Sequence, residues 1–416
     1  MSVSQNFPDE GPSLVLNFAG AEKLDPRITF TRSSTGTYLD RNGLVVTAPA
    51  NSPRFDHSYN GSNVESLGLL IEESRSNLTT YSEDYSNNSF TSDILISTNT
   101  ITSPDGATTA DTLTANINGG SNTCNVDKNF SISSNTDYTY SVFLKAGTSS
   151  KSTTNIYFTG GTFRQAVLEI TWGATPSTVL TTTGGTTATS SLVSYPNGWY
   201  RAIITYNSGN NTAGGVSRVY VRDQGTSNVS GQTVYAWGHQ VETGAFPTSY
   251  IPTVASTVTR SADNASMTGT NFSSFYRQDE GTFVVNFAMP NATDSRSHLT
   301  AGDGTANERI IITNNSSLTG TSFRVVDGGA DQCNIDRTQS FTNGATVKVA
   351  SAYKVNDYAI SQNGDAVGID TSGTLPTVTT LFIGTNGVSQ YSNSYTRYLT
   401  YYPKRLTNSQ LQNLTK

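Results

Sequence analysis

The chain has 416 residues, a net charge of −6 and 13% charged residues, about half the usual charged share. That length exceeds one ordinary domain, and 21 Tyr, 17 Phe and 3 Trp exclude a disordered chain, which is poor in aromatics. The 25 Lys and Arg are scattered, and with no basic stripe nucleic acid is not an expected partner.

Residues 1–75 come first. Leu14, Leu16 and Phe18 alternate with Val15 and Asn17, a short strand by its period of two. "LDPRITFTRSSTGTYLDRNGLV" and "NSPRFDH" follow, with Arg27, Arg32, Arg41 and Arg54 among turn residues, and then Leu67, Leu69, Leu70 and Ile71 run into Glu72 and Glu73. No strong period appears. The segment reads as extended pieces and turns packed on a neighbouring chain or domain rather than folded alone.

Residues 76–252 predict a β-sandwich. Tyr138, Tyr140, Val142 and Leu144 share one face of a strand. After the Asn197-Gly198 turn, Tyr200, Ala202, Ile204 and Tyr206 share one face and Trp199, Arg201, Ile203 and Thr205 the other. Val219 and Val221 oppose Arg218, Tyr220 and Arg222, while Tyr235, Trp237, His239 and Val241 are in phase. Short alternating strands separated by Gly, Asn and Ser turns are the signal of a sandwich.

The stretch "GAFPTSYIPTVAS" interrupts this pattern. Pro247 and Pro252 each lack a backbone donor, so strand pairing stops there, and the stretch reads as a packed joint between domains. Residues 253–416 predict a second sandwich. Phe283, Val285, Phe287 and Met289 share a face, Asn363-Gly364 is a hairpin dipeptide, and Thr407 with Gln410 forms a capping box for a terminal helical turn. The expected fold class is therefore all-β, two jelly-roll-like β-sandwiches in tandem after an irregular N-terminal segment.

Cys124 and Cys333 are too few for a disulfide framework and read as buried free thiols. The N-terminus lacks a basic stretch followed by an apolar one, so no secretion signal is expected. No apolar run approaches the ~20 residues of a membrane span, and membrane insertion is not expected.

Several phrases taken together carry a resemblance: "LDPRITFTRSSTGTYLDRNGLV", "GLLIEESRSNLTTYSED", "NGWYRAIITY", "VYAWGHQVETGAFPTSYIPT" and "GTFVVNFAM". They resemble bacteriophage head-fibre or head-spike virion proteins and tail-fibre-like structural proteins. The resemblance implies a carbohydrate-binding-module-like middle block and a concanavalin A-like, lectin-like last block. It also implies a virion location, other virion proteins as partners, host-surface glycans as ligands and a homo-oligomer, with a trimer favoured. It leaves head against tail open.

Catalysis is not expected. His57, His239 and His298 have no partner at metal-ligand spacing, no nucleophile elbow appears, and the last block carries no strand with the paired carboxylates a glycanase needs. No cofactor or metal is expected; the acidic turns at Asp303–Glu308 and Asp327–Asp336 read as plain turns. Sugar binding needs flat rings beside polar groups. Trp199 and Arg201 on one strand, with Arg218, Tyr220 and Arg222 on another, form such a patch if the two strands are neighbours. Arg27, Arg32 and Arg54 are candidate virion-docking residues, since guanidinium groups suit carboxylates at interfaces; local pairing with Asp25, Asp40 and Asp56 is the alternative. Three functions stay open: a glycan-binding virion protein, an architectural capsid or tail decoration protein without ligand, and a glycan-degrading tailspike.

Overall fold

A computed structural model describes residues 8–416, apart from 88, 118–122, 186, 223–228, 291–295, 316–318, 341 and 343. The alternating segments of the middle block form two six-stranded antiparallel sheets. In the first, the order is Thr189–Ser194, Trp199–Asn207, Asp137–Ala146, Thr233–Thr243, Ala110–Ala115 and Ile94–Ile101. In the second it is Ser177–Thr183, Arg164–Thr171, Lys151–Thr159, Gly214–Tyr220, Asn125–Phe130 and Phe90–Ser92. The core between them holds Tyr138, Tyr140, Val142 and Leu144 from one side and Ile156, Phe158, Leu168 and Val219 from the other. The fold is all-β, as the alternation predicts.

The strand Thr233–Thr243 departs from simple alternation. Its pairing with Asp137–Ala146 shifts register between Ser141 and Phe143, next to Gly238, whose φ is +64°. A Cβ on Gly238 would lie 2.7 Å from the Phe143 ring, so the bulge needs glycine for its backbone and for its space. Before the bulge, Val234 and Ala236 face the core; after it, Val241 does. Trp237 is thereby turned out of phase with Val241 and joins a separate cluster with Phe143, Trp199, Tyr250, Leu39 and Val45.

An ammonium group is enclosed in the middle sandwich. Lys128 Nζ donates to the backbone carbonyls of Thr80 (3.3 Å), Asp84 (3.2 Å) and Asn87 (3.1 Å). Burial pushes its pKa down to about 8, against the pull of Asp84 and Asp111. An unfolded lysine titrates near ~10.4. Between pH 8 and 10, then, the unfolded chain binds a proton that the folded chain has released, and the contribution of this site to stability rises with pH. Urea unfolding of the protein and of its Lys128→Met variant is expected to show the difference in favour of the wild type growing by on the order of 2 kcal/mol between pH 8 and 10. A constant difference across that range would refute the buried ammonium.

The last block forms an eight-stranded and a seven-stranded sheet, and the first segment is built into both. The eight-stranded sheet runs Gly368–Asp370, Tyr358–Gln362, Thr346–Lys354, Glu280–Ala288, Ser394–Tyr402, Val64–Ile71 and Phe55–Tyr59, and Leu14–Asn17 also pairs with Ser394–Tyr402. Two N-terminal strands thus share one edge: Leu69–Ile71 lie along Ser394–Thr396, and Leu14–Asn17 along Tyr398–Tyr401. In the seven-stranded sheet Thr29–Thr31 is the edge strand beside Asn264–Thr268. Leu14, Leu16, Phe18, Ile28, Phe30, Leu69 and Ile71 enter the same core as Phe283, Val285, Phe287 and Met289. The neighbour that the first segment needs is therefore the last sandwich. The terminal helix Asn408–Thr415 carries the expected capping box of Thr407 and Gln410, and Leu411 packs it on Ala350 and Ala352.

The joint has no sheet partner, yet four of its backbone N–H groups, those of Thr248, Ser249, Ile251 and Thr253, donate to side chains. Thr248 N donates to Glu242 Oε1 (2.7 Å) and Ile251 N to Gln240 Oε1 (2.6 Å), so side chains of Thr233–Thr243 replace the missing ladder. Phe246 lies between two guanidinium groups, 4.7 Å from Arg75 and 4.8 Å from Arg296, a doubled cation–π contact.

Beside the joint sits a buried charge node, and it holds two of the three candidate docking residues. Arg32 Nη1 lies 3.0 Å from Asp263 Oδ1, and Arg54 bridges Asp263 Oδ2 and Glu72 Oε2, the latter at 2.7 Å. Arg260 Nε lies 3.5 Å from the same Glu72 oxygen. The side chains of Arg32, Arg54 and Asp263 are fully buried. Burial works to raise the Glu72 carboxyl, and the charges of Arg260 and Arg54 overcome it and hold the pKa at about 2. Arg32 and Arg54 are thus corrected from docking residues to internal ones: they are spent on carboxylates of their own chain and present nothing to a partner. Their carboxylates are Asp263 and Glu72, not the near-sequence Asp40 and Asp56. Arg27 is half-buried and pairs with Asp25 at 2.8 Å.

Candidate functional site

The five-residue patch expected from the sequence is not assembled. Trp199 and Arg201 belong to the first sheet, Arg218 and Tyr220 to the second, so the two strands are not neighbours. The outward phase of Trp199 and Arg201 is correct, but the outer face of the first sheet is covered. Trp199 is packed with Leu39 and Val45 of the N-terminal hairpin Gly36–Leu39/Val45–Ala48, and its Nε1 donates to Thr102 O (3.1 Å). Arg201 is buried and donates to Thr248 O of the joint (2.9 Å). Tyr220 is also buried, and its hydroxyl accepts from Arg218 Nη1 (2.8 Å). Arg222 lies past the end of its strand, half-buried, with Nη1 3.3 Å from Gln232 Oε1.

Arg218 remains on a polar outer face, and the structure gives it other companions. Cross-strand register sets the face in rows. Asp127, Arg218, Asn155 and Val167 are opposite one another on four adjacent strands. The next row is Asn129, Val216, Tyr157 and Gln165. Asp127 holds both Nε and Nη2 of Arg218, a two-point grip that fixes the guanidinium plane. That plane lies 5.3 Å from the Tyr157 ring and 5.4 Å from the Tyr220 ring. Burial works to lower the Arg218 pKa, and the hydrogen bonds to Asp127 and then Tyr220 more than offset it, so the group stays charged. The Phe163 ring is 6.0 Å from Tyr157 and 47% exposed.

The arrangement is chemically specific. Phe163 and Tyr157 offer apolar surface for the CH-rich face of a sugar, while Arg218, Gln165 and the exposed Asn129 offer donors and acceptors for its hydroxyls. Among the described residues the face carries Asp127 and Glu169, and each is tied to a cation: Asp127 to Arg218, Glu169 to Lys151 at 2.6 Å. Among the described residues no group of three or more His, Cys, Asp or Glu is placed to hold a metal ion. Sequence reasoning missed Asp127, Tyr157 and Phe163. A signal for Tyr157 was present, since it stands out of phase with Ile156 and Phe158, which are both in the core.

No protein-family model matches the chain, and no curated protein matches it. Among solved structures, the CBM40 of the Ruminococcus gnavus IT-sialidase bound to α2,3-sialyllactose aligns with a TM-score of 0.31 and 15% identity, over 35% of this chain and 88% of that one. The NanB sialidase of Streptococcus pneumoniae aligns with a TM-score of 0.31 and 13% identity, over 36% of this chain and 26% of that one. The Trypanosoma rangeli sialidase in complex with the inhibitor DANA aligns with a TM-score of 0.28 and 16% identity, over 36% of this chain and 25% of that one. The aligned part spans about a quarter of the two sialidases. At these scores the likeness carries no inference about ligand or activity.

Proposed function

We propose that the chain is a non-enzymatic component of a bacteriophage particle, in a capsid or tail fibre or spike, that adheres to host-surface glycans through the outer face of its second middle sheet. The observation that carries the glycan reading is the fixed Arg218 guanidinium beside Tyr157 and the exposed Phe163 ring. A side chain already held by Asp127 loses little freedom when it binds a hydroxyl, which favours a weak, rigid lectin-type contact. The pairing of Asp127 and Glu169 with cations supports binding without hydrolysis, because a glycanase needs one carboxyl as acid and another as base or nucleophile. The virion setting, the trimer and the contact with other virion proteins rest on the resemblance of the sequence to phage fibre and spike proteins.

The test uses the full chain on a glycan array and on host cells. Phe163→Ala is expected to lower glycan binding at least tenfold with an unchanged melting temperature, and Arg218→Ala to lower it at least as much. Equal binding by Phe163→Ala and the wild type would remove this face as the site. No binding to any glycan or cell would leave a purely architectural decoration protein. Release of reducing ends from host polysaccharide would overturn the non-enzymatic reading.

A further inference from the structure

A cleft of about 430 Å³ opens where the N-terminal hairpin, the first middle sheet, the joint and the last sandwich meet. Ser191, Val193 and Gly344 of its lining are exposed and mark its mouth. Asp56, Glu72 and Arg201, with the rings of Phe143, Phe246 and Tyr250, are buried in its wall. The volume suits a small polar molecule and falls within the range of ordinary ligand pockets.

The charges of the wall are unequally matched. Glu72 is held by Arg54 and Arg260. Asp56 Oδ1 accepts from the backbone N–H of Leu39 (2.7 Å) and His57 (2.9 Å), and burial raises its carboxyl to about 6. Arg201 differs. Its side chain is buried, with 7% of the residue exposed. Its Nη1 and Nη2 each donate to a neutral oxygen, Thr248 O and Ser141 Oγ, both at 2.9 Å. Its Nε has no hydrogen-bond partner, and none of the carboxylates among the described residues forms an ion pair with it. The Phe143 ring, 5.5 Å from its Cζ, is a weak substitute for a counter-ion. A buried guanidinium without a carboxylate is unfavourable, and one lining a cleft that opens to solvent is placed to find its anion outside the chain.

We propose that the cleft binds a small polyhydroxylated carboxylate of monosaccharide size, with the carboxylate on Arg201 and hydroxyls toward Asp56, Ser191 and Ser194. The guanidinium fork matches a carboxylate in two-point geometry. Aromatic walls at Phe143, Phe246 and Tyr250 suit the carbon skeleton, and Asp56 accepts from a hydroxyl. This site is on a different part of the molecule from the glycan face, so either assignment can fail alone.

The probes are sodium glucuronate and glucose, titrated against the full chain by calorimetry and by saturation-transfer NMR. Glucuronate is expected to bind at least tenfold more tightly than glucose, and Arg201→Gln to lose that preference. Because Arg201 supports the joint, Val193→Trp at the exposed mouth is the second variant: it is expected to block glucuronate at an unchanged melting temperature. Equal binding of the two sugars, no binding of glucuronate, or full binding by Val193→Trp would each overturn the proposal. Loss of glucuronate binding in Phe163→Ala would place the ligand on the glycan face and overturn it too.

Discussion

Replacing Asp263 by Ala is expected to destabilise the protein by about 3–5 kcal/mol, the usual cost of removing one partner from a buried ion pair. Asp263 gives one oxygen to Arg32 and the other to Arg54, and Oδ2 also accepts from the backbone N–H of Glu72 at 2.9 Å. Without it Arg32 loses its carboxylate partner and Arg54 keeps only Glu72, which also serves Arg260. The loss is one of desolvation rather than of contact: the charges stay buried and their compensation is gone. Thermal and urea unfolding measure it, with a fall in midpoint on the order of 10 °C. Asp279→Ala is the control, since its pair with Arg277 is 66% and 47% exposed on the two sides and is worth little in water. Equal effects of the two substitutions would show that the node contributes nothing beyond a surface pair.

A chain that starts at Ser76 is expected to lose the last sandwich altogether. The missing residues include Leu14, Leu16, Phe18, Ile28, Phe30, Leu69 and Ile71, all buried in its core. At ~1.5–3 kcal/mol for each buried side chain, their removal is as large as the whole ~5–15 kcal/mol by which a domain is normally stable. It also strips the edge of Ser394–Tyr402 of both its N-terminal partners, leaving an unpaired strand edge that promotes aggregation. Circular dichroism and limited proteolysis of the truncated chain test this. A cooperative, protease-resistant product covering residues 253–416 would refute the interlocking. The first segment is part of the last sandwich, and Arg32 and Arg54 are buried in their own chain and do not face a partner.

The candidate site was half legible in the sequence. Alternation with Val219 and Val221 puts Arg218 on an outward face, and the structure keeps it there with Asp127 and Tyr157 beside it. Trp199 and Arg201 share the expected patch because they, too, stand opposite core residues. Alternation reports which residues point away from one core; it does not report whether a second layer covers that outward face. Here the hairpin carrying Leu39 and Val45 and the joint carrying Tyr250 cover it. The same limit applies to Arg32 and Arg54. In sequence they are polar residues among turns, and their partner Asp263 is 231 and 209 residues away.

By itself the sequence determined the all-β class, the phase of most strands, the proline-marked break in strand pairing and the capped terminal helix. Each of these depends on interactions between residues a few positions apart: side chains alternate on a strand with period two, proline removes a local donor, and a capping box closes over three residues. Only the tertiary structure decided which sandwich receives the first segment, how Gly238 reverses the faces of Thr233–Thr243, which carboxylates neutralise the buried arginines, and that Arg201 is left without one. Those outcomes depend on pairings between distant strands and on the water they exclude. A charge is free or costly according to what encloses it, and the order of residues along the chain does not record the enclosure.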